Sequence, residues 1–309
     1  MSTRVQQDKA IMTTQTTDKS VETIVADYRN HALNRREFMA RLIGATGSMA
    51  LAHLMLERSG LAATLVSDSE SREISVQSQM IECATTGQKP LTASLSVPDR
   101  AGSFPAVVVI HENRGLNEHT RDVARRFASE GFVALAPDLL SRVGGTASMP
   151  SPDDARAAIM ALPSEDAIAD LKSCLSYLDG HNRVNKGQLG SVGFCWGGLR
   201  SFLLATEDAR LRAAVVFYGS TPPLEKLADI HCPVLGLYGA TDERITSRVP
   251  ETIQAMKAAN KPFEHKIYEG AGHAFFNDAG PNFNAAAADD AWNMTLAFLR
   301  LNLSKGEPV

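Results

Sequence analysis

The sequence has few of the features that mark nucleic-acid-binding or metal-binding proteins. Its 309 residues carry 31 Lys and Arg against 35 Asp and Glu, a net charge of −4. No basic stripe with interleaved aromatic residues occurs, so a nucleic-acid partner is not indicated. The four cysteines are widely spaced and include no CxxC pair, which indicates neither a zinc site nor a disulfide framework. The sequence also shows no internal repeat.

The first sixty residues differ from the rest of the chain. Residues 1 to about 30 are polar and have no core-forming period. Arg35 and Arg36 then precede an apolar stretch at 42–56, which is too short to span a bilayer, and small residues follow at 61–63. This order is that of a cleaved export signal, and the paired arginines resemble the twin-arginine type, whose substrates cross the membrane already folded.

We therefore predict that residues 1–63 are an export signal or a disordered segment, and that residues 64–309 form the functional domain. The protein would then be exported to the periplasm by the twin-arginine machinery, with no stable membrane anchor after cleavage. The alternative is an amphipathic N-terminal helix that packs on the domain of a cytoplasmic protein, which His53 and Arg58 beside the apolar run favour.

From about residue 72, the pattern predicts an α/β domain. Two alternating runs flank a turn-like segment and indicate an N-terminal β-hairpin. Short apolar runs then alternate with segments of helical period, which is typical of a mostly parallel central sheet with helices on both faces. Ligands bind outside the carboxyl ends of the strands in such sheets, so functional residues should directly follow the apolar runs.

The segment GSVGFCWGG places Cys195 at such a strand end. Gly193-x-Cys195-x-Gly197 is the G-x-S-x-G nucleophile elbow with sulfur in place of oxygen, because glycines permit the tight turn from strand to helix. The N-terminus of the following helix would favour a thiolate at Cys195. The backbone amide of Trp196 would face the oxygen that becomes negative in acyl transfer. The alternative is a small core cysteine beside a helix start.

Two further strand ends carry an acid and a histidine. Asp242 follows the apolar run PVLGLYG, and His273 follows EHKIYEG in a glycine-containing loop. Nucleophile, acid and histidine in this chain order form the triad of an α/β-hydrolase. His273 would take the proton of Cys195, and Asp242 would hold the imidazole in the productive tautomer.

Over residues 72–303 the chain resembles the dienelactone hydrolase (carboxymethylenebutenolidase) family. The matching segments are VVVIHENRGLN, DVARRFASEGFVALAPDLL, GFCWGG, YGATDERI and GAGHAFF. The resemblance implies an α/β-hydrolase domain that cleaves enol esters or lactones with the triad Cys195, Asp242 and His273. It also implies that Glu112 contacts the resting thiol and helps to convert it to thiolate. The next amide, of Asn113, would be the second oxyanion-hole donor. The alternative for Glu112 is a carboxylate paired with Arg114 or Arg121 at the surface.

The sequence departs from the family at the groups expected to hold a substrate carboxylate. The family has an arginine four residues after the catalytic histidine, where this chain has Asn277. Arg114 could supply a replacement charge, and Arg156 is a looser match to another carboxylate-binding arginine of the family. Phe275, together with Trp196 and Tyr218, is expected to line an apolar pocket or the core beneath it.

Three functions remain open at this stage. The first is a cysteine-dependent ester or lactone hydrolase of the dienelactone type. The second is a broad carboxylesterase or thioesterase with no carboxylate requirement, which Asn277 favours. The third is a non-catalytic protein that binds a ligand or senses oxidants through Cys195. No metal or organic cofactor is expected, and the only small-molecule partner expected is an ester or lactone.

Overall fold

The computed structural model describes residues 75–83 and 90–304, together with short helical stretches at 21, 23–27, 41–42 and 44–45. The chain separates into two units, Met1–Arg72 and Glu73–Val309. Arg35, Arg36 and the small residues at 61–63 lie outside the described residues, so the predicted signal and its boundary stay predictions. None of the described helices is both long enough and apolar enough to span a membrane.

An eight-stranded sheet forms the centre of the second unit. Its strands are β1 (Val76–Cys83), β2 (Leu91–Pro98), β3 (Phe104–Ile110), β4 (Val133–Pro137), β5 (Val184–Phe194), β6 (Leu211–Phe217), β7 (Val234–Gly239) and β8 (Phe263–Tyr268). They lie in the order β1-β2-β4-β3-β5-β6-β7-β8. β1 pairs with β2 and β2 with β4 in antiparallel fashion, and every other neighbouring pair is parallel. The predicted mostly parallel sheet and its N-terminal antiparallel pair are confirmed.

Seven helices accompany the described strands of this unit. They are α1 (Glu118–Ser129), α2 (Pro152–Ala161), α3 (Ser164–Gly180), α4 (Trp196–Glu207), α5 (Glu243–Thr246), α6 (Val249–Ala258) and α7 (Ala285–Leu303). Consecutive residues of a strand face opposite sides of the sheet. On β5, Gly190 faces Leu299 of α7, whereas the Ser191 hydroxyl lies 2.8 Å from that of Ser201 on α4. The two helices therefore cover opposite faces, as the apolar strands require.

The parallel part of the sheet creates the edge at which the site lies. β3, β5, β6, β7 and β8 are neighbours in that order and run in the same direction. Their carboxyl ends therefore lie along one edge, where open α/β sheets bind ligands. The residues that directly follow these strands become spatial neighbours although they are far apart in the sequence.

Candidate active site

The turn between β5 and α4 holds Cys195 in a strained backbone conformation. Its φ is 55° and its ψ −113°, in the left-handed half of the backbone map, which costs a non-glycine residue about 1–3 kcal/mol. A Cβ on Gly193 would lie 2.0 Å from the carbonyl oxygen of Gly197, and a Cβ on Gly197 would lie 2.4 Å from that of His111. Both glycines are therefore required by close backbone approach, as the elbow pattern predicts.

The structure brings Cys195, His273 and Asp242 into one hydrogen-bonded chain. His273 Nε2 lies 2.9 Å from Cys195 Sγ, and His273 Nδ1 lies 2.5 Å from Asp242 Oδ2. Because a carboxylate can only accept, Nδ1 carries the ring hydrogen and Nε2 is left to accept the thiol proton. This is the tautomer that a general base for the thiol needs.

Backbone strain is concentrated at these strand ends. Among the described residues, four non-glycine residues have positive φ, and three of them are Cys195, Tyr218 (φ 39°) and Ala274 (φ 63°). Tyr218 directly follows β6, and its ring centroid lies 5.2 Å from that of His273. Strain of this kind persists only where the surrounding structure enforces it, which is typical of active sites.

The environment of Cys195 favours the protonated thiol in the resting protein. Burial, followed by the negative charge of Glu112, raises its pKa from 9.0 to about 11. The backbone amide of Trp196 and the charge of Arg244 act in the opposite direction but are outweighed. Burial, which the sequence pattern does not show, therefore outweighs the helix N-terminus that favours a thiolate. A protonated thiol in the resting protein is consistent with the resting thiol that the family resemblance implies.

Glu112 has different partners from those expected. Its carboxylate accepts a hydrogen bond from the Tyr218 hydroxyl at 3.2 Å and another from Asn277 Nδ2 at 3.1 Å. The thiol itself pairs with His273. Among the described residues, no hydrogen bond joins Glu112 to the thiol, although the charge of Glu112 acts on the sulfur. In the described part of the chain, no ion pair joins Glu112 to Arg114 or Arg121, and Arg121 pairs instead with Glu118 at 3.1 Å.

The remaining predicted residues lie in three kinds of surroundings. Asn113 and Arg114 follow Glu112 in the loop after β3, with Asn113 half-buried and Arg114 exposed. Arg156 is exposed on α2. Phe275 is fully buried and packs against the ring of Tyr268, with centroids 5.1 Å apart, so it lies in the core beneath the site. Trp196 is also buried, and its backbone amide lies at the sulfur.

Two residues at the site were missed or misjudged from the sequence. Arg244 is exposed two residues after Asp242, and its charge lowers the pKa of the Cys195 thiol. Its place just beyond a strand end was the available signal. Tyr218 was expected only to line a pocket or the core, whereas its hydroxyl donates to Glu112. In the described part of the chain, no cluster of three or more His, Cys, Asp or Glu could hold a metal ion.

Comparison with known proteins agrees with this architecture. The sequence profile of the dienelactone hydrolase family matches residues 91–303. A crystal structure described as a "putative dienelactone hydrolase" of Klebsiella pneumoniae superposes with a TM-score of 0.68 at 32% identity, covering 73% of this chain and 98% of that one. The predicted α/β-hydrolase fold is thereby confirmed.

Two curated relatives are similar over most of their length. A Yersinia pestis protein named "putative carboxymethylenebutenolidase" is 34% identical over 240 residues, which is 72% of this chain and 89% of that protein. A Bradyrhizobium protein named "probable 2-oxo-3-(5-oxofuran-2-ylidene)propanoate lactonase" is 33% identical over 235 residues, or 72% of this chain and 94% of that protein.

Proposed function

The chain belongs to the dienelactone hydrolase family of ester and lactone hydrolases, and we propose that it works through a covalent thioester on Cys195. The observation that carries this proposal is the unbroken chain from Cys195 Sγ through His273 to Asp242, with separations of 2.9 and 2.5 Å. An oriented base serves turnover, whereas a thiol sensor has no need of one. Repeated turnover of a neutral aryl ester supports the proposal, and loss of only one thiol per chain without turnover would contradict it.

The first half of the reaction forms the thioester. His273 Nε2 takes the proton from Cys195 Sγ as the sulfur attacks the carbonyl carbon of the substrate. Asp242 stabilises the imidazolium that forms. The amides of Trp196 and Asn113 donate to the carbonyl oxygen as it becomes negative. The bond between carbon and the leaving oxygen then breaks, and His273 returns its proton to that oxygen.

The second half regenerates the thiol. His273 takes a proton from a water molecule, and the water oxygen attacks the thioester carbon. The carbon–sulfur bond breaks, the acid is released, and the proton on His273 returns to the sulfur. Because the pKa of Cys195 is raised to about 11, the protonated thiol is the stable end point of each cycle at neutral pH.

The class of substrate depends on whether the site can bind a carboxylate group of the substrate. The name of the Bradyrhizobium relative refers to an anionic lactone, and a site for such a substrate needs a cation. Asn277 is neutral and donates to Glu112, which favours a broad carboxylesterase or thioesterase as the second candidate. Arg114 is the cation next to the proposed oxyanion amide of Asn113, and it is exposed. We propose that Arg114 contacts the substrate carboxylate.

Arg114→Met is expected to weaken carboxylate-bearing lactones while sparing neutral aryl esters. Loss of a charge-assisted contact costs about 1.5–3 kcal/mol, or roughly 10- to 100-fold in KM. Steady-state kinetics on both substrate classes measure it, with Arg212→Met, which removes an exposed arginine at the amino end of β6, as the matched control. Equal effects on both classes would mean that Arg114 supports the loop without contacting the carboxylate. A wild-type protein with no preference for anionic substrates would favour the broad esterase.

We also propose that residues 1–63 direct export and are then removed. Mass spectrometry of the protein from its host is expected to give a mature N-terminus near residue 64, in the periplasmic fraction. A variant with Arg35→Lys and Arg36→Lys should accumulate uncleaved in the cytoplasm. A wild-type N-terminus at or near Met1 would contradict this proposal and favour the N-terminal helix of a cytoplasmic protein.

A further inference from the structure

His111 is a fully buried histidine, directly after β3, that the mechanism above does not use. Its Nδ1 lies 2.6 Å from the carbonyl oxygen of Glu112, and the backbone N–H of Leu139 donates to its Nε2 at 3.3 Å. Since a backbone N–H can only donate, Nε2 is an acceptor and the ring hydrogen is on Nδ1. His111 is therefore neutral and donates to the Glu112 carbonyl. Burial also lowers the pKa of His111, which keeps the ring uncharged.

The Glu112 carbonyl belongs to the same peptide group as the Asn113 amide. A trans peptide is planar, and its C=O and N–H point in opposite directions. A hydrogen bond that fixes the carbonyl therefore fixes the direction of the Asn113 N–H. In the part of the chain that the structure describes, no group accepts from this N–H, so it is free to donate to a substrate.

His111 also contacts Trp196, whose amide is the other proposed oxyanion donor. The rings of His111 and Trp196 are stacked, with centroids 5.8 Å apart and planes 9° apart. The guanidinium of Arg200, one helical turn later, lies 4.3 Å from the centroid of the Trp196 indole. The His111 carbonyl lies so close to Gly197 that a side chain there would collide with it. His111 thus joins the loop after β3 to the start of α4.

The segment that follows β4 holds the loop after β3 in place through further hydrogen bonds. Besides the Leu139 amide, this segment holds Asp138, whose carboxylate accepts from the Thr146 amide and hydroxyl, both at 2.7 Å. The Thr146 hydroxyl in turn accepts from the backbone N–H of Leu116 at 2.9 Å. The loop that contains Asn113 is therefore tied to the same segment at two points, through His111 and through Thr146.

We propose that His111 is a positioning residue for the oxyanion hole, because its Nδ1–H holds the Glu112 carbonyl and thereby directs the Asn113 amide at the substrate oxyanion. The inference rests on the proposed acyl transfer at Cys195. It predicts that His111 supports the transition state, in which charge develops on the oxygen, more than substrate binding.

Two substitutions separate the two hydrogen bonds of the ring. In His111→Asn the side-chain amide is attached at Cγ, like Nδ1, and keeps a donor for the Glu112 carbonyl. In His111→Gln the amide is one bond further out, like Nε2. It keeps only an acceptor for the backbone N–H of Leu139 and loses the donor to the Glu112 carbonyl. Removal of an oxyanion donor costs about 10²–10³ in kcat. We therefore expect His111→Gln to lose about 100-fold in kcat with little change in KM, and His111→Asn to lose less than about tenfold.

The rate of alkylation of Cys195 by iodoacetamide distinguishes a positioning role from a merely structural one. Structural damage to the site would change this rate. Alkylation requires the thiol and His273 but develops no oxyanion, so its rate at Cys195 should be the same in both variants and in the wild type. Values of kcat are taken per alkylatable Cys195, which corrects for any misfolded fraction. The proposal is overturned if His111→Gln keeps its kcat, if both variants lose equally, or if alkylation falls in parallel with kcat. A wild-type protein that is not acylated at Cys195 would instead overturn the proposed function.

Discussion

Cys195→Ala is expected to reduce ester hydrolysis to the rate that binding and the oxyanion hole alone sustain. Removal of a triad nucleophile costs about 10⁶-fold in kcat, because no covalent intermediate can form. Alanine leaves the turn and its neighbours in place, so the loss should not be accompanied by unfolding. Turnover of a neutral aryl ester, followed with thermal unfolding, measures both. Cys232→Ala is the matched control, since Cys232 is buried and precedes the amino end of β7, at the opposite edge of the sheet from the strand ends that carry the site.

The same cysteine should be the first of the four to react with iodoacetamide. Cys195 is partly exposed, whereas Cys83, Cys174 and Cys232 are buried. Activity should fall in step with the labelling of Cys195. Because its pKa is raised to about 11, the thiolate fraction and hence the labelling rate should increase with pH across the neutral and mildly alkaline range. Wild-type turnover by Cys195→Ala, or labelling of another cysteine in step with inactivation, would contradict the account.

His273→Ala and Asp242→Ala should each lower kcat/KM by orders of magnitude, and the double variant should be little worse than the poorer single one. Triad residues act as one unit, so that single removals cost about 10⁴–10⁶-fold and do not add. The hydrogen bonds at 2.9 Å and 2.5 Å make His273 the link between thiol and carboxylate. Without it Asp242 has nothing to orient. A thermodynamic cycle of the wild type, both single variants and the double variant measures the coupling.

A second histidine–aspartate pair supplies the control for this cycle. His119 Nδ1 lies 3.0 Å from Asp278 Oδ1, in a partly buried contact that does not include the thiol. His119→Gln should leave kcat/KM near the wild-type value if only the pair at Cys195 is catalytic. Additive losses from His273→Ala and Asp242→Ala would show that the two residues act independently, and the triad would then be wrong.

The sequence predicted the framework of the site well because that framework is encoded locally. The glycines around Cys195 form a short sequence pattern that marks the turn, although Gly197 also meets the distant backbone of His111. Apolar runs mark the strands after which Asp242 and His273 lie. The shared edge of a parallel sheet then brings the three together. Element type and strand direction were therefore sufficient to identify these residues as neighbours.

The sequence could not predict the features of the site that depend on contacts between side chains far apart in the chain. Tyr218 and Asn277 reach Glu112 from 106 and 165 residues away, and no local pattern records which oxygen each one approaches. The raised pKa of the Cys195 thiol could not be predicted from the helix N-terminus for the same reason, because burial of the sulfur outweighs the favourable amide of Trp196. The position of Phe275 within the core likewise depends on packing against the distant Tyr218, with ring centroids 5.4 Å apart.

The most direct test of the thioester is to capture it. Wild-type protein is mixed with an excess of aryl ester, stopped with acid before the first turnover is complete, and digested for mass spectrometry. The thioester mechanism predicts one acyl group per chain, located on the peptide that contains Cys195, released by hydroxylamine and absent from Cys195→Ala. An acyl group on any other residue, or full turnover with no covalent adduct at any time point, would contradict it.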